Sequence, residues 1–338
     1  MVPPAMASSA ADAGLIPDPA LTGRLAATLA SLWAEGRPQG DKGAKLGLAV
    51  SGGPDSVALL LLAAAALPGR VEAATVDHGL RDESAQEARD VARLCERLGV
   101  PHEILRVEVA PGNVQAEARR ARYAALAGWM EARGLGALAT AHHADDQAET
   151  LLLRLNRASG VAGLASTRAR GNLPETELPL LRPLLGWRRE ELAEVVRAAG
   201  LTAAQDPSNL DDRFDRARLR KALAQADWLD IAAIAESASH LADADAALDW
   251  AAQREWQACV RKEGLGMIYR PVAPRAIALR VLARIIVEMG EDEPRGSAVA
   301  RVFDALLARQ PASIGNLVAR PTPGGWSFTR APKRRNAG

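Results

Sequence analysis

The stretch that decides the fold runs from residue 46 to residue 56 and reads Leu-Gly-Leu-Ala-Val-Ser-Gly-Gly-Pro-Asp-Ser. An apolar run over residues 57–67 follows it directly. A short apolar strand, a glycine-rich turn and the start of a helix therefore succeed one another without a spacer. Glycines let the backbone approach an anion closely, and the first N–H groups of a helix can bind one. The pattern predicts a phosphate-binding turn, although the same residue types also make ordinary turns.

This turn differs from a Walker-type loop, because the pattern Gly-x4-Gly-Lys-Ser/Thr is absent from it. The serine hydroxyls add hydrogen-bond donors, and Pro54 suits the first position of a helix, where no N–H is needed. The candidate nucleotide-binding residues of the turn are Ser51, Gly52, Gly53, Pro54, Asp55 and Ser56.

The composition bounds the class of protein. The chain has 338 residues, enough for two domains, and 48% hydrophobic with 25% charged residues is typical of globular proteins. Cys95 and Cys259 are far apart and form no CxxC pair, so neither a disulfide framework nor a cysteine metal site is indicated. The longest apolar run has eleven residues, too short to span a bilayer. Residues 1–20 contain no Lys or Arg, unlike a targeting peptide. We therefore expect a cytoplasmic protein without membrane partners and with a disordered leader over residues 1–22.

Strand and helix patterns alternate from about residue 45 to residue 200. This alternation of short apolar strands with helices predicts an α/β fold with a doubly wound parallel sheet, placed in a domain over residues 23–221. Ligands of such sheets bind beyond the carboxyl ends of the strands. The predicted strands cover residues 46–50, 71–76, 102–109, 137–140 and 178–181, and the intervening helices cover residues 83–98, 114–133, 145–156 and 188–199.

Residues 222–338 predict a second, smaller and mostly helical domain that ends in a hairpin over residues 316–329. Its charges are unevenly distributed: residues 222–260 contain seven acidic groups and one basic group, whereas residues 261–338 contain fourteen basic and six acidic groups. This asymmetry favours a basic face for a polyanion, and a solvated charged surface is the alternative.

Two polar stretches follow predicted strands. The first, Asp77-His78-Gly79-Leu80-Arg81, places Asp77, His78 and Arg81 at the rim of a nucleotide site, unless it is a simple capped turn. The second contains His142, His143, Asp145 and Asp146 at a strand-to-helix junction. A helix N-terminus favours either aspartate through its dipole, and a transition-metal site is a further alternative. We expect a cluster that moves protons and orients Mg²⁺–ATP, with Asp55 and Asp145 as metal ligands.

Two basic stretches complete the set. Arg119, Arg122 and Tyr123 lie on neighbouring faces of one predicted helix and can reach one anion, although a salt-bridged surface helix explains them equally well. Further along, Asp206-Pro207-Ser208-Asn209 precedes a basic segment that suggests contact with a nucleic-acid backbone or, alternatively, a solvated linker helix. The candidate nucleic-acid-binding residues are Arg213, Arg216, Arg218, Arg220 and Lys221 in that segment, with Lys333, Arg334 and Arg335 in the C-terminal tail.

Taken together, SGGPDS, VDHGLR, ARRARY, TAHHADDQAETLLLRLNRASGVAGL, RPLL and DPSN occur in one order over residues 46–221. This set resembles the tRNA(Ile)-lysidine synthetases, a branch of the PP-loop ATP pyrophosphatase superfamily with an adenine nucleotide alpha-hydrolase-like fold. The resemblance implies a ligase that forms a carbon–nitrogen bond and cleaves ATP between its α- and β-phosphates with Mg²⁺. It joins free L-lysine to carbon 2 of the wobble cytidine of isoleucine tRNA with a CAU anticodon.

The resemblance also implies residue roles. It places Asp55, Arg119, His142 and Asp146 at the reacting centre. The chemistry of these residue types fits, because an arginine can neutralise the α-phosphate and we expect His142 to titrate near neutrality and to move a proton. It leaves tRNA docking to the helical domain and its basic tail. One departure is Ala158, where relatives commonly carry glycine. Alternative functions are tRNA thiolation by another PP-loop enzyme, non-catalytic tRNA binding and small-molecule amidotransfer.

Overall fold

The computed structural model describes residues 13–36, 43–79, 82–108, 110, 112, 114–202 and 215–331. The chain divides into two compact units, Met1–Leu241 and Ala242–Gly338. None of the helices in these ranges is both long and apolar enough to cross a membrane.

The first unit contains a six-stranded sheet in the order β3-β2-β1-β4-β6-β5. All neighbouring strands are parallel except β5, which pairs antiparallel with β6 at one edge. The predicted α/β fold with a doubly wound parallel sheet is thereby confirmed. The strands are β1 (Leu46–Ala49), β2 (Val71–Asp77), β3 (His102–Arg106), β4 (Ala137–Ala139), β5 (Arg170–Asn172) and β6 (Pro179–Leu181).

Eight helices lie wholly within the described part of the first unit. Helix α2 is apolar on every side, because it is buried between the sheet and its neighbours α1 and α7. The helices are α1 (Pro19–Leu32), α2 (Pro54–Ala66), α3 (Asp82–Arg97), α4 (Val114–Arg133), α5 (Ala144–Leu155), α6 (Val161–Leu164), α7 (Arg189–Ala198) and α8 (Asp215–Gln225).

The leader that the sequence predicted over residues 1–22 is ordered from residue 13 onward. Leu15 is buried, and α1 begins at Pro19. The Asp18 side chain accepts a hydrogen bond from the N–H of Ala20, so Asp18 and Pro19 form a helix start of the usual kind. Leu25 and other apolar residues of α1 then pack into the core. Residues 1–12 lie outside the described residues.

The second unit combines helices with a five-stranded antiparallel sheet in the order β7-β8-β11-β10-β9. The sequence predicted the helices and the terminal hairpin of this sheet, but not its other three strands. Trp326 holds the core together, with its ring edge-on to Tyr269 at 5.8 Å and to Phe303 at 5.3 Å between ring centroids. The boundary between the two units falls within helix α9 (Ile231–Cys259). The other elements are α10 (Arg275–Glu288), α11 (Gly296–Leu307), β7 (Val260–Glu263), β8 (Gly266–Tyr269), β9 (Ala312–Ile314), β10 (Leu317–Thr322) and β11 (Gly325–Arg330).

Ala158 has a φ of 52° just beyond the end of α5. An L-residue with a side chain is disfavoured in this left-handed conformation by about 1 kcal/mol. We expect Ala158→Gly to raise the free energy of unfolding by about 0.5–1 kcal/mol. Chemical denaturation measures this change. In the control Ala27→Gly, at an exposed position of α1, stability should instead fall by about 1 kcal/mol.

Candidate active site

The candidate site lies at the carboxyl ends of three neighbouring strands. Strand β1 pairs with β2 on one side and with β4 on the other, so the chain leaves the sheet in opposite directions around it. Such a switch point opens a crevice at the sheet edge, where doubly wound proteins bind nucleotides. The glycine-rich turn follows β1, Asp77 ends β2, and the two adjacent histidines follow β4. Motifs that are far apart in the sequence thus converge at one edge.

The turn after β1 has the geometry of an anion site. Gly52 has a φ of 89°, which favours glycine, and Gly53 caps α2 without any side-chain hydrogen bond to the helix N-terminus. The Ser56 hydroxyl donates to the carbonyl of Gly53 at 2.9 Å and accepts from the N–H of Ser51 at 3.2 Å. These bonds fix the curvature of the turn. The uncapped N–H groups at the start of α2 are therefore available to an anion.

His143, rather than His142, lies at the centre of the carboxylates. It is 1% exposed, and its Nε2 lies 3.4 Å from Asp55 and 3.5 Å from Asp146. Its Nδ1 lies 3.5 Å from Asp145. Asp146 also accepts a hydrogen bond from the backbone N–H of His143 at 3.2 Å, which ties the cluster to the start of α5. His143 therefore joins the phosphate-binding turn to α5, a role that the sequence alone did not assign.

The environment of His143 favours its charged form. Burial lowers its pKa, but Asp145, Asp55 and Asp146 outweigh that effect and raise the pKa to about 9. Burial likewise opposes ionisation of Asp145, yet His143, the N–H of Arg189 and the Arg188 guanidinium hold its pKa well below the usual range. The cluster is thus a buried cation surrounded by carboxylates at neutral pH.

His142 has the opposite character. Burial lowers its pKa to about 4 against the effect of Asp146, and the cations Arg182, Arg122 and Arg119 lower it further. The expectation that His142 titrates near neutrality is therefore wrong: it is a neutral imidazole at pH 7. Its Nδ1 shares a hydrogen bond of 2.9 Å with the Thr140 hydroxyl.

Three arginines surround this neutral histidine, and the sequence identified two of them. The Cζ atoms of Arg119 and Arg122 lie 4.9 and 5.1 Å from the ring centroid of the buried Tyr123. Arg182 was not selected from the sequence, although it directly follows β6 and so comes to the same sheet edge. Burial, together with Arg119, lowers its pKa. Arginines that lower the pKa of a buried histidine, and of which one lowers the pKa of another, are typical of a site that binds an anion.

The polar stretch that begins at the end of β2 contains the three predicted rim residues Asp77, His78 and Arg81, of which the structure describes the first two. Asp77 accepts hydrogen bonds from the N–H of Gly79 at 3.0 Å and from the Ser84 hydroxyl at 2.9 Å, as in a capped turn. His78 has a buried Nδ1 with no hydrogen-bond partner among the described residues. Burial lowers the pKa of His78, and the positive charge of Arg122 lowers it further. Arg81 lies outside the described residues.

The basic helix α8 uses its arginines within the protein. Arg220 forms two hydrogen bonds with the buried Glu149, at 2.8 and 3.2 Å, and Arg216 donates to the Thr150 hydroxyl at 3.0 Å. Arg218 pairs with Asp215 on its own helix. These contacts fasten α8 to α5 and argue against phosphate contacts by the same guanidinium groups. Arg213, Lys333, Arg334 and Arg335 lie outside the described residues, and tRNA contact by Lys221 stays a prediction.

Of the two predicted metal ligands at the carboxyl edge of the sheet, Asp55 is free to bind a divalent cation with a nucleotide, and Asp145 is not. Asp55 Oδ1 is buried and has no hydrogen-bond partner in the described part of the chain. Asp145, the other predicted ligand, has both oxygens engaged by Arg188, and its Oδ2 also accepts from the N–H of Arg189 at 2.9 Å. Within the described ranges no group of three His, Cys, Asp or Glu side chains could hold a metal ion by itself. Any cation here would therefore need ligands from the nucleotide.

Comparison with known proteins decides the family. Residues 22–227 match the PP-loop domain family. The chain is 48% identical over 300 residues to the tRNA(Ile)-lysidine synthase of Novosphingobium aromaticivorans, covering 88% of this chain and 92% of that protein. The chain belongs to the tRNA(Ile)-lysidine synthase family. The synthase of Zymomonas mobilis, 42% identical over 87% of this chain and 90% of its own length, agrees.

A solved structure supports the fold of this lysidine synthase family member independently. The chain is similar to a U34-tRNA thiolase from Methanococcus maripaludis, with a TM-score of 0.52 and 15% identity over 65% of this chain and 78% of that one. At that identity the likeness concerns the fold alone. It confirms the adenine nucleotide alpha-hydrolase-like architecture, while the family membership shows a PP-loop enzyme that uses ATP and modifies tRNA.

Proposed function

We propose that the protein attaches L-lysine to carbon 2 of the wobble cytidine in isoleucine tRNA with a CAU anticodon, in the cytoplasm. The observation that carries the proposal is the convergence of the glycine-rich turn, Asp55, the buried His143 and the arginine cluster at one sheet edge. This arrangement occurs in a chain that aligns over most of its length with tRNA(Ile)-lysidine synthases.

The first step activates the base. The cytidine O2 attacks the α-phosphorus of ATP, the bond to the β-phosphate oxygen breaks, and pyrophosphate leaves. The turn from Ser51 to Ser56 and the N-terminus of α2 bind the departing pyrophosphate. Arg119, Arg122 and Arg182 neutralise the charge that builds up on the α-phosphate. Mg²⁺, held by Asp55 and phosphate oxygens, would supply further charge neutralisation.

The second step replaces the activated oxygen. The ε-amine of lysine attacks carbon 2, AMP leaves with the former O2, and the amine loses protons. His142 is uncharged at pH 7, but its pKa of about 4 makes it a weak proton acceptor there, so the protons of the amine pass to the solvent. Asp146 and the other carboxylates near His143 favour an incoming ammonium group through their negative charge.

The test supplies the purified protein with ATP, Mg²⁺, labelled lysine and a transcript of the CAU-anticodon isoleucine tRNA. Stable attachment of label, with one AMP and one pyrophosphate formed per lysine, is the expected result. A transcript with uridine at the wobble position is the matched control and should take up no label. Pyrophosphate formation without lysine attachment would contradict the proposal and indicate another nucleotide modification.

The cysteines separate this proposal from tRNA thiolation. Burial raises the pKa of the Cys95 thiol to about 12, and burial with Glu255 raises that of Cys259. Neither thiol is therefore prepared as a nucleophile. We expect the double variant Cys95→Ala/Cys259→Ala to retain lysine attachment within about threefold, a change worth less than 1 kcal/mol in activation free energy. Lysine attachment that is lost in a variant that still unfolds cooperatively would contradict this and show that a thiol takes part in the reaction.

A further inference from the structure

An exposed tryptophan stands on the second unit at the rim of a groove. Trp250 of α9 is 64% exposed, and Val272, across the groove, is 72% exposed. The groove has a volume of about 390 Å³, and Ala251, Ala258 and Cys259 line it between them. Large apolar side chains this exposed, gathered around one concave surface, indicate a binding site more than isolated exposure does.

Two cations flank the groove. The Arg254 guanidinium carbon lies 5.1 Å from the centroid of the Trp250 ring, one helical turn further along α9. Arg270 is exposed, and its backbone N–H donates to the carbonyl of Cys259, which lines the groove. In the ranges that the structure describes, neither guanidinium has an ion-pair partner. By contrast, Arg275 and Arg280 of the same unit are paired with aspartates.

The carboxylate at the groove is used internally. Glu255 is 8% exposed, and its Oε1 accepts from the N–H groups of Val272 and Ala273 at 2.9 and 3.1 Å and from the Tyr269 hydroxyl at 3.2 Å. These bonds hold the segment with Val272 against α9 and fix the width of the groove. The surface offered to a ligand is therefore an aromatic ring with positive charge beside it.

We propose that this groove, lined by Trp250, Arg254 and Val272 and with Arg270 next to its lining residue Cys259, binds an unpaired nucleotide of the RNA substrate. The base stacks on Trp250, and the two arginines contact the adjoining phosphates, since bases stack on aromatic rings regardless of sequence. A nucleotide fits better than a protein partner, because a stable protein interface needs about 800 Å² on each side. This inference rests on the proposed function, since it assumes that the protein binds tRNA.

The test measures tRNA affinity with the full chain at fixed salt. Trp250→Leu keeps apolar bulk but removes the stacking surface, and we expect it to weaken binding of the isoleucine tRNA transcript roughly 5- to 150-fold. Arg254→Met should make the plot of log affinity against log salt concentration less steep, by about the amount that one phosphate contact contributes. Trp228→Leu is the matched control, because Trp228 is 79% exposed and lies outside the groove. Binding of tRNA should also quench the tryptophan fluorescence of the wild type more than that of Trp250→Leu.

Four other outcomes of these measurements would overturn the inference about the groove. Equal affinity of Trp250→Leu and wild type, with lysine attachment intact in the wild type, would refute the groove and leave the proposed function standing. An equal loss of affinity in Trp228→Leu and Trp250→Leu would refute a specific stacking site. A change of self-association instead of tRNA affinity would assign the groove to a second protein chain. No tRNA binding by the wild type would refute both the proposed function and this inference.

Discussion

His143→Gln is expected to lower the free energy of unfolding by about 3 kcal/mol, because it leaves half-buried carboxylates without their cation. Asp55 and Asp146 lie 3.4 and 3.5 Å from the ring of His143. Glutamine has a similar length but carries no charge, so the two half-buried carboxylates would repel each other with no cation between them. Lysine attachment should fall by at least about 100-fold, since Asp55 would no longer be held beside the phosphate-binding turn.

Chemical denaturation in EDTA measures the stability change without a contribution from bound cations. His240→Gln is the matched control: His240 is exposed on α9, 4.0 Å from Glu236, and its replacement should change stability by less than about 0.5 kcal/mol. A stability loss of similar size in both variants would contradict the central position of His143.

The pH dependence gives a second measure of the same charge. The pKa of His143 is raised from 6.5 to about 9 in the folded chain, so folding favours the protonated form. Its contribution, about 3 kcal/mol, is fully present below pH 6.5 and is lost as the pH rises through 9. In EDTA the wild type should therefore lose stability between pH 6.5 and 9 by more than His143→Gln does. Parallel stability curves for the two proteins would show that His143 is not charged in the folded state.

Arg119→Met is expected to reduce the rate of pyrophosphate formation by about 100- to 1,000-fold at saturating substrates. Its guanidinium belongs to the cation cluster around His142, where charge builds up on the α-phosphate in the proposed first step. Methionine preserves the length of the side chain, so the effect should be on the rate far more than on stability.

Arg120→Met provides the control on the same helix. Arg120 is exposed and pairs with Glu117 at 2.7 Å, three residues earlier on α4. Such a surface pair contributes about 0–1 kcal/mol, and its loss should leave the rate within about twofold. If Arg120→Met and Arg119→Met slowed pyrophosphate formation equally, the cause would be damage to α4 and not loss of a phosphate contact.

The sequence predicted the secondary structure best where a local pattern of residues is compatible with only one backbone conformation. Residues 46–56 predicted a strand, a turn and a helix correctly. The conformation of such a turn depends only on residues adjacent in the sequence: a glycine that can adopt a positive φ, and a helix start without a side-chain cap. Helix α4 was predicted with the bounds that the structure shows, Val114–Arg133. The equally short strands β1, β4 and β6 were predicted because they are apolar and mostly buried, whereas β5, β7 and β9 were missed because they are edge strands without a buried residue. Strand β8 was missed as well.

The roles within the site needed the fold. The adjacent residues His142 and His143 look alike in the sequence, yet one is neutral and the other charged at pH 7, because one faces arginines and the other faces carboxylates. Arg216 and Arg220 resembled a nucleic-acid contact until Glu149, about seventy residues away in the chain, proved to be their partner. The sequence by itself determined the sheet, the phosphate-binding turn and the family. The tertiary structure alone decided which charges meet, since pKa values and ion pairs depend on distances between residues that are remote along the chain.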